Sequence, residues 1–85
     1  MSERARGEEL HLLEMAGEIR GLVYQPRYPL LVKDIKVGTY VGDFEYHEGD
    51  NLVVEEVKGF RTALYKLKRK MMKAIYGIAI REIEA

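Results

Sequence analysis

Leu52-Val53-Val54-Glu55-Glu56-Val57-Lys58 is the stretch on which the fold turns. Its valines favour an extended chain. Side chains alternate along a strand, so Leu52, Val54, Glu56 and Lys58 share one face, and Val53, Glu55 and Val57 share the other. Just ahead of it, His47-Glu48-Gly49-Asp50-Asn51 has the composition of a turn, and Val37 to Tyr46 is rich in Val, Thr, Tyr and Phe. The two β-rich segments and the turn between them predict a hairpin.

Outward from the hairpin, Pro26 and Pro29 forbid helix but permit an irregular first strand from Leu22 to Val32. Before it, Leu10, Leu13 and Gly17 fall on one face of a predicted helix from Glu3 to about Ala16, with Ser2 as its N-cap. After the hairpin, Thr62 caps a second predicted helix whose Leu64, Leu67, Met71 and Ile75 recur at helical spacing, and Gly77 ends it. Ile78, Ile80 and Ile83 then suggest a final strand. The expected architecture is a single α/β domain over residues 1–85, in the order αβββαβ, with a central mixed sheet flanked by helices.

Eighty-five residues suffice for one core, and 47% hydrophobic content marks a folded chain. The absence of cysteine excludes disulfides and thiolate zinc sites. No apolar run is long enough for a signal peptide or a membrane span, so a cytoplasmic protein with no membrane contact is expected. No Gly-rich loop precedes a Lys-Ser or Lys-Thr pair, and Ser2 is the only serine. These absences argue against an ATPase, a serine hydrolase and any nucleotide cofactor. Acidic and basic residues balance at 14 each, but unevenly: six carboxylates lie from Asp43 to Glu56, whereas every charge from Lys58 to Arg81 is basic.

Glu56 and Lys58 point together, and Asp43 lies on the partner strand of the hairpin, with Gly42 leaving room for close approach. Two carboxylates beside a lysine suit phosphodiester hydrolysis. The carboxylates would hold a hard divalent cation that neutralises developing phosphate charge, and the lysine would orient the attacking water. The same spacing also fits solvent-facing charges beside a strand. On the second helix Lys66, Arg69, Lys70 and Lys73 lie away from the apolar row, as phosphate contacts or as a solvated face. His11 and His47 are expected at the surface, Met71 and Met72 in the core, and Tyr24, Tyr28 and Tyr40 half-buried in the sheet.

A resemblance rests on Ala16-Gly17-Glu18-Ile19, Gln25-Pro26, Asp43-Phe44, Val54-Glu55-Glu56-Val57-Lys58-Gly59, Thr62, Tyr65-Lys66-Leu67-Lys68 and Tyr76-Gly77. From Glu3 to Ile83 the chain resembles a family of small phage-encoded proteins similar to the PD-(D/E)XK nucleases. The resemblance implies a restriction-endonuclease-like fold and metal-dependent cleavage of DNA with Mg²⁺ or Mn²⁺. Asp43 matches the first carboxylate, Glu56 the second and Lys58 the lysine. Glu3 matches a first-helix glutamate that completes the metal site, and it projects on nearly the same face as Leu10, with Glu9 as the alternative. The resemblance further implies a homodimer, branched DNA such as a Holliday junction as substrate, and the host-cell cytoplasm as location. The rival expectation is a noncatalytic nucleic-acid-binding module on the same fold.

Overall fold

The computed structural model describes residues 1–85. Helix α1 spans Glu3–Met15, and the Ser2 side chain accepts the Ala5 N–H at 3.0 Å, satisfying a donor the first helical turn cannot. Strands β1 (Arg20–Tyr24), β2 (Arg27–Val32), β3 (Ile35–Val41), β4 (Phe44–Glu48) and β5 (Asn51–Lys58) follow, then helix α2 (Ala63–Tyr76) and strand β6 (Arg81–Glu84). Where the sequence pattern suggests three strands between the helices there are five. The irregular first strand is two strands, β1 and β2, and the first arm of the hairpin is also two, β3 and β4.

Both divisions have one cause. β1 pairs antiparallel with β4 and β2 with β3, so the four strands are two long arms bent at the same level. One arm bends at Gln25-Pro26, where Gln25 has φ 54°, and the other at Gly42-Asp43. The Gln25 N–H donates to the Asp43 carbonyl at 2.9 Å, and the Gly42 N–H donates to the Pro26 carbonyl at 3.0 Å, which locks the bends together. Proline at 26 has no N–H to offer a continuous ladder. Past the bends, β2 and β3 form a separate two-stranded ribbon.

The main sheet has the order β1-β4-β5-β6. Antiparallel pairing joins β4 to β5 through the expected turn, and α2 carries the chain across to β6, which runs parallel to β5. The sheet is therefore mixed. Its two faces bury separate clusters: Leu10 of α1 with Ile19, Phe44, Tyr46 and Val53 on one, and Tyr65 and Met72 of α2 with Leu30, Tyr40 and Val54 on the other. Consecutive β5 residues, Val53 and Val54, thus serve opposite layers, as alternation requires.

The caps of α2 match their sequence signals. Thr62 Oγ1 accepts the Tyr65 N–H at 3.1 Å, and Gly77 closes the helix at φ 70°. A side chain is strained in that left-handed conformation. Gly77→Ala should lower stability by about 1–2 kcal/mol, seen as a reduced urea midpoint at unchanged slope. The buried row differs from the expected one. Tyr65 and Met72 face the core, while Leu64 and Leu67 remain 61% and 55% exposed. The helix is turned by one residue, about 100°. Tyr65 wins the inward place because its ring fills the layer while its hydroxyl reaches Glu82 at 2.7 Å.

Candidate active site

Asp43 sits at the second bend, immediately before β4. The β4–β5 register pairs Phe44 with Glu55, so one further step sets Asp43 opposite Glu56. Two backbone contacts fix it: its N–H donates to the Glu55 carbonyl at 3.0 Å, and its Oδ2 accepts the Val57 N–H at 2.7 Å. The bend needs glycine at 42. A Cβ there would lie 3.1 Å from Val54 Cγ1 and 3.3 Å from Tyr40 Cε2. Gly42→Ala should cost about 1–3 kcal/mol of stability by overpacking, measurable by urea unfolding.

Glu56 is only 6% exposed and accepts the Tyr40 hydroxyl at 2.7 Å. Burial first, then the Asp43 carboxyl hydrogen-bonded to it, push its pKa up to about 7, against the opposing pull of the Tyr40 hydrogen bond and Lys58. The same partnership, with burial leading, raises the Tyr40 hydroxyl well above its ordinary range. Lys58 projects from the same strand face, its Nζ 4.6 Å from the centre of the Tyr65 ring. Glu56, Lys58, Thr62 and Lys68 line a cleft of about 230 Å³ between β3 and the start of α2. Lys68, which the sequence pattern did not single out, donates to the Thr39 carbonyl at 2.9 Å.

Glu3 meets Asp43 from the other side. Partial desolvation, then hydrogen bonding and charge repulsion from Asp43, raise its carboxyl above the ordinary range. Glu9 is engaged elsewhere, by Arg6. Asp43 thus stands between Glu3 and Glu56, and of the two helix glutamates it is Glu3 that α1 delivers to it.

Arg6 and Glu55 hold that arrangement together. Glu55 is fully buried, and Arg6 grips it with Nε at 2.8 Å and Nη2 at 2.6 Å, while the Tyr46 hydroxyl donates to the same carboxylate. Arg6 is one turn beyond Glu3 on α1, and Glu55 is the residue whose carbonyl anchors Asp43. A signal for this pair does exist in the sequence. A carboxylate in phase with Val53 and Val57 must be buried under α1, and a buried carboxylate needs a cation.

The other basic candidates are placed differently. Lys66, Lys70 and Lys73 are exposed, and Arg69 donates to Glu82 at 2.8 Å. Arg69, Lys70 and Lys73 border a separate shallow cavity with Ala79 and Ile80. Although burial opposes it, the Tyr65 hydroxyl with Arg61 and Arg69 holds the Glu82 carboxyl below its ordinary range. His47 is half-buried, and His11 is exposed on α1, where it lines a groove shared with Glu3 and Glu8.

No three His, Cys, Asp or Glu side chains form a cage able to hold a metal alone. A cage is not what magnesium needs, because it is commonly bound by one or two carboxylates and completes its shell with water and substrate oxygens. Asp43 and Glu56 fit that role. Burial and then the neighbouring Asp43 carboxyl raise the Glu56 pKa to about 7, and a divalent cation between the two would oppose that shift.

Residues 1–82 match the family model described as "Protein of unknown function (DUF1064)". No curated protein and no solved structure matches the chain.

Proposed function

We propose that this chain, which belongs to the DUF1064 family of proteins of unknown function, is a metal-dependent DNA endonuclease with a restriction-endonuclease-like fold. The observation that carries this reading is the β4–β5 register, which sets Asp43 opposite the buried Glu56, whose side chain shares a cleft with Lys58. Asp43 and Glu56 would hold a Mg²⁺ or Mn²⁺ ion, and Glu3 would be their further carboxylate. The ion would supply charge neutralisation for the phosphate and lower the pKa of water. Lys58, steadied over Tyr65, holds the attacking water or the developing negative charge. Tyr40 fixes the orientation of Glu56 through its 2.7 Å hydrogen bond. Lys66, Lys70 and Lys73 contact backbone phosphates farther along the DNA, and Arg69 joins them only by sharing its charge with Glu82.

Incubation of linear, supercoiled and four-way-junction DNA with Mg²⁺, Mn²⁺ or EDTA tests the reading. Metal-dependent products from the native protein, lost in Asp43→Ala and Lys58→Ala, support it. Equal cutting by all three proteins marks a contaminant and overturns it. Tight binding without products leaves the noncatalytic module.

The protonation of Glu56 makes a separate prediction. Its folded-state pKa, about 7, lies above the ordinary 4.5, so between these values the folded state binds more protons than the unfolded chain. The stability of the metal-free protein should therefore fall as pH rises from about 4.5 to about 7 and level off above. Cation affinity should rise over the same window. Urea midpoints in EDTA at several pH values, beside Mn²⁺ titrations, measure both.

A homodimer accompanies this function. Its support is the pair Leu64 and Leu67, the two most exposed members of the apolar row on α2, whereas Met71 and Ile75 are more covered. Two symmetric sites would suit branched DNA such as a Holliday junction. Sedimentation showing only monomer at high concentration counts against it. Cytoplasmic location remains part of the proposal, and no helix is long and apolar enough to cross a membrane.

A further inference from the structure

On the α1 side of the carboxylates lies a second, larger groove of about 660 Å³, walled by Glu3, Arg4, Gly7, Leu12, Tyr24 and Phe44. Its volume falls in the range of roughly 300–1,000 Å³ usual for ligand pockets. Gly7 keeps it open, because a Cβ there would meet the Phe44 ring at 3.3 Å and the Tyr24 ring at 3.5 Å. Tyr24 stands edge-on to Phe44, with ring centres 5.6 Å apart and planes at 74°.

Tyr24 differs from the five other tyrosines. Tyr28, Tyr40, Tyr46 and Tyr65 each donate a hydroxyl to a glutamate, and Tyr76 donates to the Pro29 carbonyl. Tyr24 makes no such bond and is 55% exposed, where the sequence pattern predicts a half-buried sheet residue. A large aromatic ring without a tether, beside an open groove, is a free stacking surface.

The groove is continuous with the carboxylate site. Glu3 lines it and contacts Asp43; Phe44 follows Asp43; and Gln25, next to Tyr24, donates its N–H to the Asp43 carbonyl. The charges select what can enter. Glu3 and Glu8 line the groove with His11 and disfavour a phosphate inside, whereas a neutral base has no such penalty and can accept a hydrogen bond from the imidazole. Arg4, whose side chain is 91% exposed and meets Glu8 at 3.4 Å, offers a cation at the rim for the sugar-phosphate chain outside.

We propose that this groove takes a nucleobase adjoining the phosphate held at Asp43 and Glu56, stacked on Tyr24. The inference deepens the nuclease reading and rests on it. Bases within a continuous duplex have both faces covered, so the groove selects DNA with an unstacked nucleotide at the cleavage point, such as a flap, branch or single strand.

The test uses three duplexes: one with a single-nucleotide flap of 2-aminopurine, one with the same flap abasic, and one continuous. Binding is followed by anisotropy in Ca²⁺ with the native protein, Tyr24→Ala and Tyr24→Phe. The native protein and Tyr24→Phe should quench the 2-aminopurine and prefer the base-bearing flap over the abasic one by about 5-fold to 150-fold, the span that loss of one base–aromatic stack produces. Tyr24→Ala should lose both the quenching and the preference. Equal affinity for base-bearing and abasic flaps, or an unaltered Tyr24→Ala, overturns the groove. So does a Tyr24→Ala variant that becomes monomeric with base preference intact, since the groove would then belong to a second copy. Cleavage in Mg²⁺ is scored separately. Base-dependent, Tyr24-dependent binding without cleavage sinks the nuclease reading and keeps the groove; cleavage indifferent to base and to Tyr24 does the reverse.

Discussion

Asp43→Asn is expected to reduce metal-dependent DNA cleavage by about 10³-fold or more while leaving the unfolding midpoint nearly unchanged. Asparagine is the informative replacement because the Asp43 carboxylate has two tasks. Its Oδ2 accepts the Val57 N–H at 2.7 Å, and an amide oxygen can do the same. The other, the proposed hold on a cation, is different, because it needs the negative charge. Asp43→Ala also leaves a partly buried N–H without a partner, at about 1–3 kcal/mol, and so mixes the two effects. Parallel kinetics and urea unfolding of both variants separate them. Near-native cleavage by Asp43→Asn removes Asp43 from the site.

Arg6→Met is expected to destabilise the fold by about 3–5 kcal/mol, because it strands the buried Glu55 carboxylate. An 85-residue domain holds only about 4–13 kcal/mol in total, so the variant should be largely unfolded by mild heating or low urea. Adding Glu55→Leu should restore much of that loss, since an apolar pair of similar bulk needs no compensating charge. A single variant as stable as the native chain would mean that water reaches Glu55. The double variant carries a second message. If it folds but requires more Mn²⁺ for cleavage, then the ion pair sets the distance of Glu3 from Asp43 as well as the docking of α1.

What could be read in the sequence was local. Ser2, Thr62 and Gly77 mark helix ends through contacts within three or four residues, and all three lie where their chemistry predicts. The alternation of β5 was equally legible, so Glu56 and Lys58 share a face with Val54. The bends were not legible, because the bonds that lock Gln25 to Asp43 and Gly42 to Pro26 join residues far apart in the chain. The face of α2 was misleading for a related reason. Leu64 and Leu67 make the more apolar row, but the tether of Tyr65 to Glu82 decides which row turns inward. Asp43, Glu56 and Lys58 could be named as candidates from residue type. That Asp43 contacts both Glu3 and Glu56 depends on the bend, which only the fold reveals.

Adjacent glutamates on β5 have opposite fates, Glu55 under α1 and Glu56 in the cleft, and this limits how the gene for such a chain can change length. One codon inserted within β5 ahead of Val53, with the turn retained, would shift the strand by one residue and send each carboxylate to the other layer. Glu55 would then take the cleft position of Glu56, Arg6 would face Val54 in place of its carboxylate, and Lys58 would leave the cleft face. Two codons would restore the phase. Length changes tolerated in this segment should therefore be even in number, whereas the exposed turn at Gly49 and Asp50 can vary freely.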